Sequence, residues 1–334
     1  MQPREAWQDF PERPLDAFEG EWLLRIAVVG AGAMGSVYAG LLGAAGNEVW
    51  AVDTWEAHVE AIRAHGLRVE GASGDRTVRI GATTRAADVG EVDLVVVATK
   101  AMDVRVASTA ASVLLGPETV VLPIQNGLGS ADTAAQILGP ERTVIGVAGG
   151  FGASVIAPGH VRHEGMELLR LGEREGPVSE RLERIAAVWR EAGFTVKTYD
   201  DAGPLVWEKL ICNVCFSGTC AILDRTIGEV LEDASAWSVA SRCASEAYEV
   251  ARALRIDLSF DDPVAYARAF GLRIQQARPS VLLDLKAGRR CEIDVINGAV
   301  PRAGRSVGVA APANETVTAL VKALESRGLS SRIG

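Results

Sequence analysis

The motif GAGAMG, residues 30–35, constrains the fold of this chain more than any other feature. It follows the apolar run LRIAVV and leads into AMGSVYAGLLGAAG, which has small residues on one helical face. A strand that enters a helix through G-x-G-x-x-G is typical of a dinucleotide-binding turn, because the glycines permit a tight turn, close approach of a pyrophosphate and close helix packing. The sequence therefore predicts a cofactor-binding turn formed by Gly30, Ala31, Gly32, Ala33, Met34 and Gly35.

Strand and helix patterns alternate after this turn. EVWAVD (48–53), VDLVVVATK (92–100) and TVVLPIQNG (119–127) have the pattern of buried strands. The helical stretches WEAHVEAIRAHG (55–66) and AMDVRVASTAASVLL (101–115) lie between them. This alternation predicts a parallel sheet with helices on both faces.

The pattern changes twice in the second half of the chain. Short strands between about 143 and 199 are expected to extend the sheet as antiparallel edge strands, with one helix at 179–193. After Asp200 only helical patterns follow, and they cover residues 203–224, 234–255, 262–275, 280–287, 292–308 and 312–327. The predicted fold class is α/β: an N-terminal Rossmann-type parallel sheet with antiparallel edge strands, plus an all-α C-terminal domain. The domains are an N-terminal extension (1–22), a dinucleotide-binding domain (23–200) and a helical substrate and dimerisation domain (201–334).

Composition narrows the class of partner. The 334 residues are 48% hydrophobic and 23% charged, which suits a large buried core in about two domains. A net charge of -9 argues against a nucleic-acid or anionic-membrane partner, because phosphate binding needs a basic surface. No apolar run reaches the roughly 20 residues of a membrane span, and residues 1–22 contain no secretory apolar region. We therefore expect a cytoplasmic protein that acts on small molecules.

The five cysteines indicate packing rather than metal binding. Cys212 and Cys215 form a CxxC, but no second CxxC or histidine pair supplies further zinc ligands. We expect reduced thiols in the core and no metal site.

Asp53 bears on the choice of cofactor. It lies 23 positions after Gly30 at the end of the second strand, where an acid can bind both ribose hydroxyls. A carboxylate repels a 2′-phosphate, and the next residue, Thr54, is not the arginine that would bind one. The residues therefore favour NAD(H), with His58 or Arg63 as side chains that can still turn toward a phosphate. Asp53 can at the same time cap the following helix.

Two later strands of the predicted sheet also end in polar residues. Lys100 closes VDLVVVATK, and Asn126 follows LPIQ. Because ligands bind at the carboxyl ends of parallel strands, both side chains are candidates for the nicotinamide half of the cofactor site. A strand-terminal lysine can equally be a solvated surface residue.

The apolar stretch LVWEKLICNVCFSGTCAI, residues 205–222, contains a polar stripe. At about 100° per residue, Lys209, Asn213 and Ser217 fall within about 80° of one another on a helix. A helix this apolar is buried, so the stripe faces either internal partners or a cavity. Lys209 can form a buried ion pair, for example with Glu292, or it can serve a ligand.

Further polar residues recur between 278 and 300. Ser280 and Asp284 lie four apart on one helix, and Glu292 begins the next, followed by Asp294 and Asn297. Polar groups at helix starts in apolar sequence are suited to lining a pocket for an anionic substrate.

These motifs together resemble the ketopantoate reductase (2-dehydropantoate 2-reductase) family. GAGAMG, ATK ending at Lys100, QNG at 125–127, WEKL-x-x-N at 207–213, Ser280 with Asp284, and EIDVINGAV occur in the family's order over about residues 24–325. The resemblance implies a Rossmann domain, a helical domain, a substrate cleft between them, and a homodimer.

The resemblance also implies roles for individual residues. Lys209 matches the catalytic lysine that protonates the substrate carbonyl, and Glu292 the acid paired with that lysine or with the cofactor. The substrate-binding positions are Asn213, Ser217, Ser280 and Asn126. The cofactor positions are the six residues of GAGAMG with Asp53, Lys100, Asn126 and Glu292.

Two departures from the family pattern concern specificity. Typical members continue N-x-x-x-N-P-L-T-A, whereas Ser217 replaces the second asparagine here. Typical members also carry a basic residue where Thr54 stands and use NADP(H), which therefore stays possible.

The predicted activity is reduction of a 2-keto acid to a 2-hydroxy acid, namely ketopantoate to pantoate in pantothenate biosynthesis. An NAD-dependent D-2-hydroxyacid dehydrogenase that acts on a bulkier branched or aromatic 2-keto acid is the alternative. A non-catalytic NAD(H)-binding sensor is the alternative of another class.

Overall fold

The structure of the protein, a computed structural model, describes residues 23–150, 152–165 and 168–330. The predicted N-terminal extension, residues 1–22, lies outside the described residues. The described chain divides into two compact units. The sheet unit comprises residues 23–125 and 129–202, and the helical unit comprises residues 126–128 and 203–330.

The sheet unit contains all the strands of the described chain. In chain order they are β1 (Arg25–Val29), β2 (Glu48–Val52), β3 (Leu67–Gly71), β4 (Arg76–Val78), β5 (Gly81–Thr83), β6 (Val92–Val97), β7 (Leu115–Pro123), β8 (Val144–Gly149), β9 (Gly152–Ala157), β10 (His160–Gly165), β11 (Leu168–Glu173) and β12 (Val196–Tyr199). Its α-helices are α1 (Ala33–Ala44), α2 (Glu56–His65), α3 (Val104–Ala111), α4 (Ser130–Leu138) and α5 (Glu180–Glu191).

Five parallel strands form the central sheet, in the order β5-β2-β1-β6-β7. The valine-rich middle strands are buried on both faces, as Val28 on one face and Val95 on the other illustrate at 0% exposure. Continuous apolar strands are expected where helices cover both faces of a parallel sheet. This sheet confirms the α/β, Rossmann-type fold class.

The remaining strands pair in two smaller sheets, ordered β4-β3-β10-β9 and β12-β11-β8. Both contain an antiparallel pair, β9 with β10 and β8 with β11. The sequence predicts that these strands extend the central sheet. Among the described residues, however, an isolated bridge between Val121 and Thr143 is the only strand pairing from β7 to this region.

The helical unit consists of helices and turns throughout its described residues. The helices are α6 (Gly203–Leu223), α7 (Ile227–Glu232), α8 (Ala234–Ala253), α9 (Pro263–Arg273), α10 (Ser280–Lys286), α11 (Ala299–Val307) and α12 (Pro312–Ser330). The prediction of an all-α region after Asp200 is therefore confirmed. The apolar helix α6 lies at its centre and packs against α8, α10 and α12.

One predicted helix of this unit is wrong in its extent. Residues 292–308 were predicted to be helical throughout, but α11 begins only at Ala299. Residues 293–298 form turns instead, in which the Gly298 N–H donates to the Ile293 carbonyl at 3.0 Å. Asn297 and Gly298 both disfavour a helix interior, and the Asn297 side chain is committed to partners elsewhere in the unit.

Candidate active site

The carboxyl ends of four central strands form one row. Strand pairing places Val29 beside Val52 of β2 and beside Val97 of β6, and Val97 beside Pro123 of β7. The segments that follow these ends therefore leave the sheet at the same edge. In open α/β sheets this edge is where ligands bind.

The glycine-rich turn leaves this edge from β1. Gly30 has a φ of +96°, and a Cβ there would lie 2.5 Å from the Thr99 nitrogen, so only glycine fits. The Gly30 N–H donates to the Val52 carbonyl at 2.8 Å. A Cβ at Gly35 would overlap the Gly30 carbonyl oxygen, which explains the third glycine of the motif.

Helix α1 begins with open space in front of it. Its N-cap is Gly32, no side chain caps the helix, and the first intrahelical bond runs from the Ser36 N–H to the Gly32 carbonyl at 2.9 Å. A Cβ at Gly32 would meet no atom within 4 Å. Backbone N–H groups that precede the first intrahelical bond attract anions, so the turn fits a dinucleotide pyrophosphate.

Asp53 follows β2 at the same edge and is half-buried. Its Oδ1 accepts the Trp55 N–H at 2.9 Å, and its own N–H donates to the Thr83 carbonyl at 3.1 Å. The N-cap of α2 is Trp55, so Asp53 holds a turn and does not cap the helix. The carboxylate keeps further lone pairs for hydroxyl donors.

The two basic side chains considered for a 2′-phosphate differ in burial, since His58 is buried and Arg63 is exposed. His58 is fully buried, with Nε2 3.1 Å from Ser36 Oγ and Nδ1 accepting the Gly159 N–H at 3.1 Å. Burial lowers the pKa of His58, against an opposing effect of Asp53. Arg63 Nε donates to the Ala82 carbonyl at 2.7 Å. The expectation that His58 can turn toward a phosphate is therefore wrong.

Two residues that the sequence analysis did not single out lie beside Lys100 and Asn126. Gln125 Nε2 donates to the carbonyls of Val97 at 2.7 Å and Thr99 at 3.2 Å. Gln125 Oε1 and Thr99 Oγ1 are buried without a hydrogen-bond partner in the structure. Buried polar atoms in this condition are costly, which suits a ligand that bonds to them. Lys100 is half-buried at the same strand end.

The three residues of the polar stripe of α6 are buried to different extents. Lys209 and Asn213 are half-buried, and Ser217 is buried at 5% exposure. The more deeply buried charge is its neighbour Glu208, whose Oε1 accepts the Ser259 N–H at 3.0 Å. The Glu208 carboxylate therefore serves as the hydrogen-bond acceptor for a backbone N–H, whereas the Lys209 side chain is partly exposed.

Asn126 lies in a segment that packs on the turn beginning at Glu292. The Leu128 N–H donates to the Val295 carbonyl at 2.9 Å, and the Val295 N–H donates to the Glu292 carbonyl at 3.1 Å. Gly127 has a φ of +81°, and a Cβ there would overlap the Val295 oxygen. The QNG motif thus brings the Asn126 segment to the Glu292 turn, where Glu292 itself is buried.

The other polar residues of 278–300 have mostly structural surroundings. Ser280 is exposed at the start of α10, and Asp284 is buried with Oδ1 3.1 Å from the Arg289 guanidinium. Asp294 pairs with Lys322 at 2.8 Å on the surface. The expectation that the whole group lines a pocket is therefore too broad.

Asn297 belongs to a buried network that we call the helix-locking network: Asn297, Asn314, Glu246 and the Val214 carbonyl. Asn297 Nδ2 donates to the Val214 carbonyl at 2.9 Å and to Asn314 Oδ1 at 3.0 Å. Asn314 Nδ2 donates in turn to Glu246 Oε2 at 3.0 Å. The network joins α6, α8 and α12 and gives the Asn297 amide nitrogen two structural partners, whereas Asn297 Oδ1 is buried without a hydrogen-bond partner.

The cysteines are core residues. All five are buried, and burial raises the pKa of Cys220, Cys243 and Cys291 to about 12. These thiols stay protonated near neutral pH and are weak nucleophiles. Within the described ranges no three or more His, Cys, Asp or Glu side chains are grouped as a metal site.

Helix α6 is long and apolar enough to cross a membrane by length and composition alone. However, 78% of its most apolar window is buried inside the protein. This burial is what a core helix shows.

Comparison with known proteins assigns both units. Residues 26–176 match the model of the family described as ketopantoate reductase PanE/ApbA, and residues 202–325 match its C-terminal counterpart. A 2-dehydropantoate 2-reductase of Archaeoglobus fulgidus is 31% identical over 303 residues, which cover 90% of this chain and 98% of that protein.

Solved structures give the same assignment. A PanE/ApbA family ketopantoate reductase from Ralstonia eutropha JMP134 superposes with a TM-score of 0.82 at 32% identity, covering 91% of this chain and 99% of that one. D-mandelate dehydrogenase in its ternary structure with NADH and anilino(oxo)acetate superposes with a TM-score of 0.83 at 29% identity, covering 91% and 98%. Proteins of this fold thus differ in substrate.

Proposed function

The chain belongs to the ketopantoate reductase family of oxidoreductases, which use a nicotinamide cofactor, and we propose that it reduces a 2-keto acid to a 2-hydroxy acid. The observation that carries the proposal is the glycine-rich turn, with open space at Gly32 and uncapped N–H groups at the start of α1. In this proposal residues 23–200 bind the dinucleotide, and residues 201–334 bind the substrate.

We propose that NADH is the preferred cofactor. Asp53 presents a carboxylate at the ribose position of the turn, and Thr54 after it is exposed and uncharged. His58 is buried in the sheet unit with both ring nitrogens engaged, so it supplies no cation for a 2′-phosphate. The Arg63 Nε bonds to the Ala82 carbonyl, which leaves Arg63 as the one exposed cation of the two. Lys100 and Asn126, which follow two other strands, would contact the nicotinamide half of the cofactor.

When bound, the nicotinamide supplies the hydride that reduces the substrate carbonyl carbon. Lys209 Nζ would donate a proton to the carbonyl oxygen as negative charge develops there. The partial exposure of Lys209 on a mostly buried helix supports this role, since a fully buried side chain could not meet a substrate. Glu292 would return that proton or orient the ammonium.

Orientation of the substrate would come from neutral side chains. Asn213 lies one turn after Lys209 on α6, so its amide would hold the substrate hydroxyl or carboxylate beside the proton donor. Ser217, Asn126 and Ser280 would complete the set, with the exposed Ser280 hydroxyl directed to the carboxylate.

The first substrate candidate is ketopantoate, which the named relatives of this family reduce. The second is a bulkier branched or aromatic 2-keto acid reduced with NADH to a D-2-hydroxy acid. The observation that favours the second is Ser217, which replaces a larger amide in the stripe and is accompanied by Asp53. The likeness to D-mandelate dehydrogenase is consistent with it.

A substrate panel tests these candidates. Oxidation of NADH and NADPH is followed by absorbance with ketopantoate, branched and aromatic 2-keto acids. Turnover with ketopantoate supports the first candidate, and turnover confined to bulkier acids supports the second. Binding of NADH without turnover of any acid would contradict a catalytic function and support the non-catalytic NAD(H)-binding sensor.

Lys209→Ala tests the proton donor. Loss of a general acid is expected to lower kcat by about a hundredfold to ten-thousandfold, with cofactor affinity unchanged. Lys322→Ala, which removes only the surface pair with Asp294, is the matched control and is expected to keep wild-type kcat. Near-normal turnover by Lys209→Ala would overturn this assignment.

We also propose a cytoplasmic homodimer. The assembly is tested by light scattering of the purified chain, where a monomer at micromolar concentration would contradict it.

A further inference from the structure

His58 connects three elements of the sheet unit through its two ring nitrogens. The Gly159 N–H, in the turn between β9 and β10, donates to Nδ1 at 3.1 Å. Because Nδ1 accepts this bond, the neutral ring carries its proton on Nε2. Nε2 lies 3.1 Å from Ser36 Oγ, which therefore accepts from it.

Ser36 links His58 to the glycine-rich turn by a hydrogen bond. Its hydroxyl donates to the Ala31 carbonyl at 2.8 Å, so all its hydrogen bonds run in one direction from Gly159 through His58. His58, Ser36 and Ala31 are each 0% exposed, and water does not compete for these bonds. The indole of Trp55 stacks on the imidazole with ring centroids 4.9 Å apart.

The Ala31 carbonyl controls the direction of the next N–H. In a planar trans peptide the C=O of one residue and the N–H of the next point to opposite sides. With its carbonyl held inward by Ser36, the Ala31–Gly32 peptide presents the Gly32 N–H on the opposite, exposed side, where no atom lies within 4 Å of a Cβ position. Gly32, which bounds this peptide on one side, gives it the freedom to rotate if nothing holds it.

We propose that His58 and Ser36 are positioning residues that hold the Ala31–Gly32 peptide in the orientation that binds the cofactor pyrophosphate. The proposal rests on the proposed cofactor function and adds a determinant of its affinity outside the binding turn. It explains why a histidine of α2 is buried against α1 with both ring nitrogens engaged. Burial, which lowers the pKa of His58 against the charge of Asp53, favours the neutral ring, and the Gly159 N–H selects the tautomer with its proton on Nε2.

Two variants of His58 separate its two bonds. His58→Asn keeps an acceptor near Nδ1 for Gly159 and removes the donor to Ser36. His58→Gln keeps a donor near Nε2 for Ser36 and removes the acceptor for Gly159. Ser36→Ala removes the bond to Ala31 directly, with the smallest change in volume.

The dissociation constant for NADH is measured by quenching of intrinsic fluorescence, well below each melting temperature. One net hydrogen bond corresponds to about a fivefold to tenfold change in affinity. We expect His58→Asn and Ser36→Ala each to raise Kd by about that factor with kcat unchanged at saturating NADH. The double variant His58→Asn/Ser36→Ala should bind NADH no more weakly than Ser36→Ala alone, because both substitutions act on the same Ala31–Gly32 peptide. His58→Gln should bind within about twofold of wild type, even where its melting temperature falls.

Equal affinity of Ser36→Ala and wild type would overturn the proposal, as would a His58→Gln variant as weak as His58→Asn. If His58→Asn does not fold, Ser36→Ala and His58→Gln still decide the outcome. Wild-type protein that binds neither NADH nor NADPH would instead refute the proposed function.

Discussion

Replacing Gly32 with alanine would separate the stability of the glycine-rich turn from its capacity to bind a cofactor. Gly32 has a φ of -67° in an extended conformation that alanine adopts, and a Cβ there meets nothing within 4 Å. The folded state therefore gains no steric clash. Restriction of the unfolded chain, worth about 0.4–1 kcal/mol, is offset by the weaker preference of alanine for the N-cap position of α1. The melting temperature should therefore stay within about 3 °C of wild type.

Cofactor binding, by contrast, should weaken. The added methyl group occupies the open space through which a pyrophosphate would approach the N–H groups at the start of α1. Displacement of the pyrophosphate by about one methyl radius lengthens several charge-assisted hydrogen bonds at once. We expect Kd for NADH to rise at least about tenfold, which corresponds to about 1.4 kcal/mol.

Gly35→Ala is the matched control, since it adds the same atom three residues later. Its Cβ would overlap the Gly30 carbonyl oxygen, a backbone atom that cannot rotate away. Overpacking of this kind costs about 1–3 kcal/mol, so the melting temperature should fall by several degrees. Thermal melts and NADH titrations of both variants provide the test. Unchanged NADH affinity in Gly32→Ala would refute the assignment of this turn to the pyrophosphate.

Glu246, His58 and Asp53 each give a further prediction. Glu246→Gln replaces an acceptor that holds two N-terminal N–H groups of α12, so it should cost about 1–3 kcal/mol, and an unchanged urea midpoint would contradict this role. Because the pKa of His58 is lowered in the folded state from 6.5, its contribution to stability is present above that pH and is lost as pH falls. The melting temperature should therefore fall between about pH 7.5 and about pH 5.5, and it should fall less in His58→Gln. Asp53→Asn combined with Thr54→Arg should raise the kcat/KM ratio of NADPH to NADH at least about tenfold, and an unchanged ratio would show that neither side chain reads the 2′-position.

The central sheet could be predicted because its signals are local. β1, β2, β6 and the buried half of β7 are short apolar runs rich in valine, and GAGAMG fixes the direction of the chain after β1. The three-residue strands β4 and β5 carry too few residues for a period-two pattern, so their pairing depends on neighbours distant in sequence. The separation of β8–β12 from the central sheet likewise depends on tertiary packing.

The helical unit shows the same division. The capping box at Thr226 and Glu229 is a start signal for α7 that the sequence carries, although α7 is not among the predicted helices. By contrast, nothing local distinguishes Glu208 from Lys209, although the first is buried on the Ser259 N–H and the second is half-exposed. Asn297 likewise resembles a ligand residue in sequence, and only its contacts with Val214 and Asn314 show a structural role.

The helix-locking network has a consequence for how substrate specificity can change during evolution. Asn297 holds α6 at the Val214 carbonyl, and Gly218 admits the close approach of Val317 one turn later. These positions lie about 120° around the helix from the stripe of Lys209, Asn213 and Ser217. Substitutions at 217 therefore leave the anchored side of α6 in place. Under the proposed function, a lineage can exchange one substrate for another at that position without losing the placement of the lysine.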